Sequence, residues 1–72
     1  MTTEEKIKNV LKETYDHTKD FSTTIGAIVN LVCEKYEDET GDSIRSALAH
    51  MNGLERIGST LEDQVKIGPS FF

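Results

Sequence analysis

Seventy-two residues make one small domain at most, and a chain of this length buries only a modest core. Thirteen acidic residues against eight basic ones give a net charge of −5, which argues against non-specific binding to nucleic acid, because that needs Lys and Arg to displace counterions. A single cysteine, Cys33, excludes an internal disulfide, and no Cys/His cluster could hold a structural metal, so self-association is the expected route to stability.

Thr2-Thr3-Glu4-Glu5 opens the first helix. Thr2 and Glu5 have capping-box spacing, and both glutamates suit the positive end of the helix dipole. An apolar stripe then steps by three and four through Ile7, Leu11, Thr14, Thr18, Phe21, Ile25, Ile28 and Val32. Thr18 to Thr24 is rich in weak helix formers and competes as a break. Ile7 and Ile25, however, are 18 residues apart, five whole turns of an unbroken helix. The phase predicts one long helix over 3–38, kinked if anywhere near Asp20.

The clearest turn is Glu37-Asp38-Glu39-Thr40-Gly41-Asp42-Ser43, with Gly41 suited to a left-handed C′ position and Asp42 or Ser43 to the next N-cap. A second helix is expected over 43–67, carried by Ile44, Ala47, Met51, Leu54, Gly58, Leu61 and Val65 and stopped by Gly68-Pro69. Asn52-Gly53 is the rival turn signal, but Met51 and Leu54 stay in register across it. Residues 68–72 form a short C-terminal tail. The expected fold is therefore all-α: a long antiparallel helical hairpin with coiled-coil packing. In its register Phe21 meets Gly58, Thr18 meets Leu61 and Thr14 meets Val65. Val10, Tyr15, Val29, Leu31, Tyr36, Leu48 and Ile57 widen the stripe beyond one partner helix, so two or more hairpins are expected to assemble into a helical-bundle homo-oligomer.

Thr2 to Lys12 is charged throughout, unlike a signal peptide, and no apolar run approaches the roughly 20 residues of a membrane span. With its lone cysteine the chain reads as a soluble cytoplasmic protein. No residues carry catalytic or cofactor chemistry. His17 and His50 lie on unmatched faces, Cys33 reads as a small hydrophobe beside the seam, and neither metal nor cofactor is expected.

Two sets of residues stand out for binding. Glu34, Glu37, Asp38, Glu39 and Asp42 crowd the hairpin tip and suit a basic partner surface, and Phe71 and Phe72 end the chain as an apolar tail. Tyr15, Tyr36, Arg45 and Arg56 are the side chains fit to stack on a base or fork onto a phosphate. The leading expectation is a non-enzymatic acidic interaction protein that binds and inhibits or regulates another protein, in the manner of a viral accessory factor. One alternative is an oligomeric sponge for a small nucleotide signal. It resembles, in architecture alone, small phage proteins built as helical hairpins that sequester cyclic oligonucleotides. The other alternative is a structural assembly protein.

Overall fold

The computed structural model describes residues 1–57 and 64–72 and shows an α+β fold, not an all-α hairpin. Its elements are α1 (Thr3–Thr14), β1 (Phe21–Thr24), α2 (Ile25–Lys35), α3 (Gly41–His50), β2 (Leu54–Ile57) and β3 (Gln64–Ile67), closed by a 3-10 turn over Pro69–Phe71.

The helix expected over 3–38 is three elements. Thr2 caps α1, its hydroxyl accepting from the Glu5 amide at 3.2 Å. The helix ends where Tyr15 turns extended, and Asp16 then captures the chain: its Oδ1 accepts from the Thr18 amide at 3.1 Å and from the Thr18 hydroxyl at 2.6 Å. Such a side-chain turn offers the backbone an alternative to the helical ladder. Thr24 then caps α2 by accepting from the Ala27 amide at 3.1 Å. The five-turn phase between Ile7 and Ile25 was a coincidence of spacing: both are core residues, but on different helices.

The helix expected over 43–67 ends at His50. Met51 is extended, and Gly53 takes φ 89°, a left-handed conformation that starts a turn and not a helix interior. Residues 54–57 and 64–67 are strands. Helical-hairpin and coiled-coil packing are thereby excluded. The expected seam fails with it: Phe21 lies opposite Ile67 in a strand pair, while Gly58 and Leu61 fall outside the described residues. The cap of α3 is Thr40, in a reciprocal capping box with Ser43, so Gly41 is the first helical residue and not a C′ glycine.

The sheet is antiparallel in the order β1-β3-β2, with β3 in the centre. Phe21, Ile67 and Leu54 lie in one row across it, and Thr24, Gln64 and Ile57 in another. Along β3 the side chains alternate, Val65 and Ile67 buried, Gln64 and Lys66 exposed. The three helices pack pairwise, and the core joins Ile7, Val10 and Leu11 of α1 to Ile25, Ile28 and Val32 of α2, Ile44 and Leu48 of α3, and Val65, Ile67 and Phe71. No helix among the described residues is long and apolar enough to cross a membrane.

Candidate functional site

Helices α2 and α3 are joined by Tyr36 to Thr40, a short turn that makes them a helix-turn-helix unit. Ile44 and Leu48, four apart, anchor α3 in the core. That anchoring fixes the opposite face, so Asp42, Arg45, Ser46, Ala49 and His50 are exposed along α3. Arg45 engages a partner within the protein while remaining exposed. The Nδ1 of His50 lies 2.8 Å from the Ser46 carbonyl oxygen. A carbonyl only accepts, so Nδ1 carries the proton and Nε2 is the acceptor of the neutral ring. Asn52 follows, exposed, before the Gly53 turn. A groove of about 240 Å³ lies at this end of α3, lined among others by His50, Asn52, Ser70 and by Glu4 and Lys8 of α1.

The start of α3 is held from the other side. Glu39, the residue before the Thr40 cap, turns inward, its side chain only 9% exposed. It accepts from Lys6 Nζ at 2.8 Å, from the Thr3 hydroxyl at 3.0 Å and from the Ser43 hydroxyl at 2.9 Å. Lys6, itself 12% exposed, also reaches Asp38 at 3.0 Å and lies 5.4 Å from the centre of the Tyr36 ring. These bonds depress the Glu39 carboxyl, Lys6 first and Ser43 next, and Lys6 does the same to Asp38. The two carboxylates in turn raise Lys6, Glu39 most.

The acidic tip is thus divided. Glu34, Glu37 and Asp42 are exposed, and the Asp38 side chain is 74% exposed although paired, whereas Glu39 is built into the fold. The Phe tail is divided too. Phe71 is 2% exposed in the core. Phe72 is half-buried, its ring 5.0 Å from Phe71 edge-on, 5.7 Å from His17 and 6.2 Å from Phe21. The base-stacking and phosphate-binding candidates sit on four separate segments. Tyr15, after α1, stacks on Phe21 at 4.5 Å and bonds Thr23 through its hydroxyl at 3.0 Å. Tyr36 caps the end of α2 beneath Lys6 and Lys35. Arg45 lies on α3 and Arg56 on β2, both exposed.

Cys33 is half-buried, its thiol donating to the Glu39 carbonyl at 3.6 Å. Among the described residues no three His, Cys, Asp or Glu side chains gather as metal ligands. Sequence reasoning passed over Ser46 and His50 as a shared exposed face and missed the tie from Lys6 and Thr3 to Glu39. The first was readable once α3 ended at His50; the second joins residues 33 and 36 positions apart, for which one sequence holds no signal. No protein-family model matches the chain, and neither does any curated protein or solved structure.

Proposed function

We propose that the chain is a non-enzymatic binding module that docks α3 in the major groove of duplex DNA. The observation that carries this reading is the uncovered outer face of α3 on a helix-turn-helix, followed by the β2–β3 hairpin, the order of a winged helix-turn-helix. Ser46, Ala49, His50 and Asn52 are small or hydrogen-bonding, the character needed to approach base edges. The fold alone does not fix function, so the face has to carry the argument.

Charge qualifies the mode of binding. Residues 1–40 hold nine acids against five lysines, while 41–72 hold four acids against three basic residues. The acidity therefore belongs mainly to the half of the chain that lies before α3. With few cations to neutralise phosphates, non-specific affinity is weak and the salt slope shallow, and recognition depends on base contacts.

Selection of duplexes from a random library at low salt tests the reading. Wild-type protein enriches a defined sequence, and Ala49→Glu loses it while keeping its stability within about ±0.5 kcal/mol, because the site is exposed. A library with no enriched sequence rejects the reading. A second reading, a regulator that binds another protein, draws support from the exposed Glu34, Glu37 and Asp42 around the turn and the net charge of −5, which suit a basic partner. It gains if no duplex is enriched and neutralising Glu34 and Glu37 to Gln slows association with a captured partner.

A further inference from the structure

We propose that Glu39 is a positioning residue for α3, locking the start of that helix to α1 so that its outer face is presented in one orientation. The inference deepens the reading of α3 as the binding element and rests on it for its functional consequence.

Three elements meet on this one carboxylate. Lys6 and Thr3 come from the first two turns of α1, at 2.8 and 3.0 Å, and Ser43 from the first turn of α3, at 2.9 Å. Glu39 itself belongs to the turn from α2. The Ser43 hydroxyl has one proton and two acceptors in reach, Glu39 Oε1 and the Thr40 carbonyl, both at 2.9 Å. An ionised carboxylate is the stronger acceptor, so the proton goes to Glu39. The same Ser43 oxygen accepts from the Thr40 amide at 3.1 Å, and the Ser43 amide donates to Thr40 Oγ1 at 3.2 Å. The α3 cap and the α1 tie therefore share one serine. Ile44, at the end of the first turn, and Leu48, one turn on, anchor α3 through non-directional apolar contact. The directional bonds that tie its first turn to α1 pass through Glu39.

Loss of the charge frees that turn without opening the core. Glu39→Gln keeps an acceptor for Thr3 and Ser43 but sets a neutral amide against Lys6. The expected result is amide hydrogen exchange at Ser43, Ile44 and Arg45 faster by about tenfold, with Val65 and Ile67 in β3 unchanged. Affinity for the selected duplex falls by about tenfold as well. The milder Thr3→Val removes one hydroxyl bond and raises exchange at the same amides by less. At these amides Lys6→Gln combined with Glu39→Gln adds little to Glu39→Gln alone, because the bond of Lys6 that leads to α3 runs through Glu39, its other contacts being with Asp38 and Tyr36. Exchange that is unchanged at these amides, or that rises equally in β3, overturns the positioning role whether or not DNA binds. Locally raised exchange in a protein that enriches no duplex upholds the positioning and rejects the DNA reading instead.

Discussion

Gly53 shows what one backbone position demands. Its φ of 89° lies in the left-handed region, and a Cβ built there would stand 2.5 Å from the Phe71 nitrogen and 2.6 Å from the Phe71 Cα. Neither neighbour is a flexible side-chain end, and the same glycine accepts from the Gly68 amide at 3.2 Å. Gly53→Ala therefore combines strain with a backbone clash and is expected to cost about 3 kcal/mol in urea denaturation. Gly26 is the contrast: it lies in the first turn of α2, exposed, and a Cβ would meet nothing within 4 Å. Gly26→Ala should stabilise by about 0.5–1 kcal/mol, mostly by restricting the unfolded chain. Charged residues set the pH response. Glu39 and Asp38 are held below their ordinary values of 4.5 and 3.8, so the unfolded chain binds protons first as pH falls. Their contribution is fully present above the unfolded values and is lost as pH drops through the depressed folded ones. Lys6 is raised above 10.5, so its share persists below that value and disappears at higher pH, once the folded group deprotonates. Thermal melts should be flat between these limits with respect to this cluster. Glu39→Gln should lose part of the acid-side decline; an unaltered acid limb would remove Glu39 from it.

The start of α1 was legible and those of α2 and α3 were not, and element type was not legible where the period is ambiguous. Thr2, three residues before Glu5, marked the start of α1, whereas Thr40 was passed over for Asp42 or Ser43, and Gly68-Pro69, taken to stop a helix, follows a strand. The weak helix formers from Thr18 to Thr24 signalled a break, which the helix makes earlier, at Tyr15 and Asp16, but the heptad phase outweighed them. A four-residue strand offers only two inward positions, and Val65 and Ile67 fit a strand alternation as easily as Val65 alone fits a helical stripe. Pairing of Phe21 with Ile67 spans 46 residues, and such partners are set by the whole fold and not by neighbours in sequence. The exposed α3 face shared this fate: its residues were visible, but not where the helix would end. Thr24 gives the sharpest test at this scale, because it is both the last residue of β1 and the N-cap of α2. Thr24→Ala removes the acceptor for the Ala27 amide and is expected to cost about 1 kcal/mol. Thr24→Asn, which caps as well, should recover most of that. A loss with Asn equal to that with Ala would place the cost in the strand and not in the cap.

For the whole molecule, the flanking residues that suggested a multi-chain bundle are divided: Val10 and Leu48 are buried in one copy, Tyr15, Val29, Leu31 and Tyr36 are half-buried, and Ile57 is exposed. Leu11, Ile25, Ile28, Val32, Ile44 and Val65 are each at most 2% exposed in one copy. Among the described residues the exposed large hydrophobics are Met1 and Ile57. Sedimentation equilibrium at micromolar concentration, in which a lone chain gives 8.1 kDa, measures whether copies associate. A core this small leaves little reserve, since domains of this length bury a low fraction of their surface and are marginal. Phe71 makes that margin measurable. It follows the Gly68 turn, where its amide donates to the Gly68 carbonyl at 3.0 Å, and it inserts from the chain end among the largest fully buried side chains. Its backbone packs on Gly53, so it joins the end of the sheet to the turn after α3. Phe71→Ala leaves a cavity that these two backbone contacts hold open, and the expected cost is about 3–5 kcal/mol. That is comparable to the total stability of a domain this size, so the variant should be largely unfolded at 37 °C by circular dichroism. Phe71→Leu, which refills most of the volume, should refold it. Phe72→Ala, at a half-buried ring, should cost far less. Equal losses at the two phenylalanines would mean that the tail stabilises the fold as a loose apolar cover and not through the one buried ring.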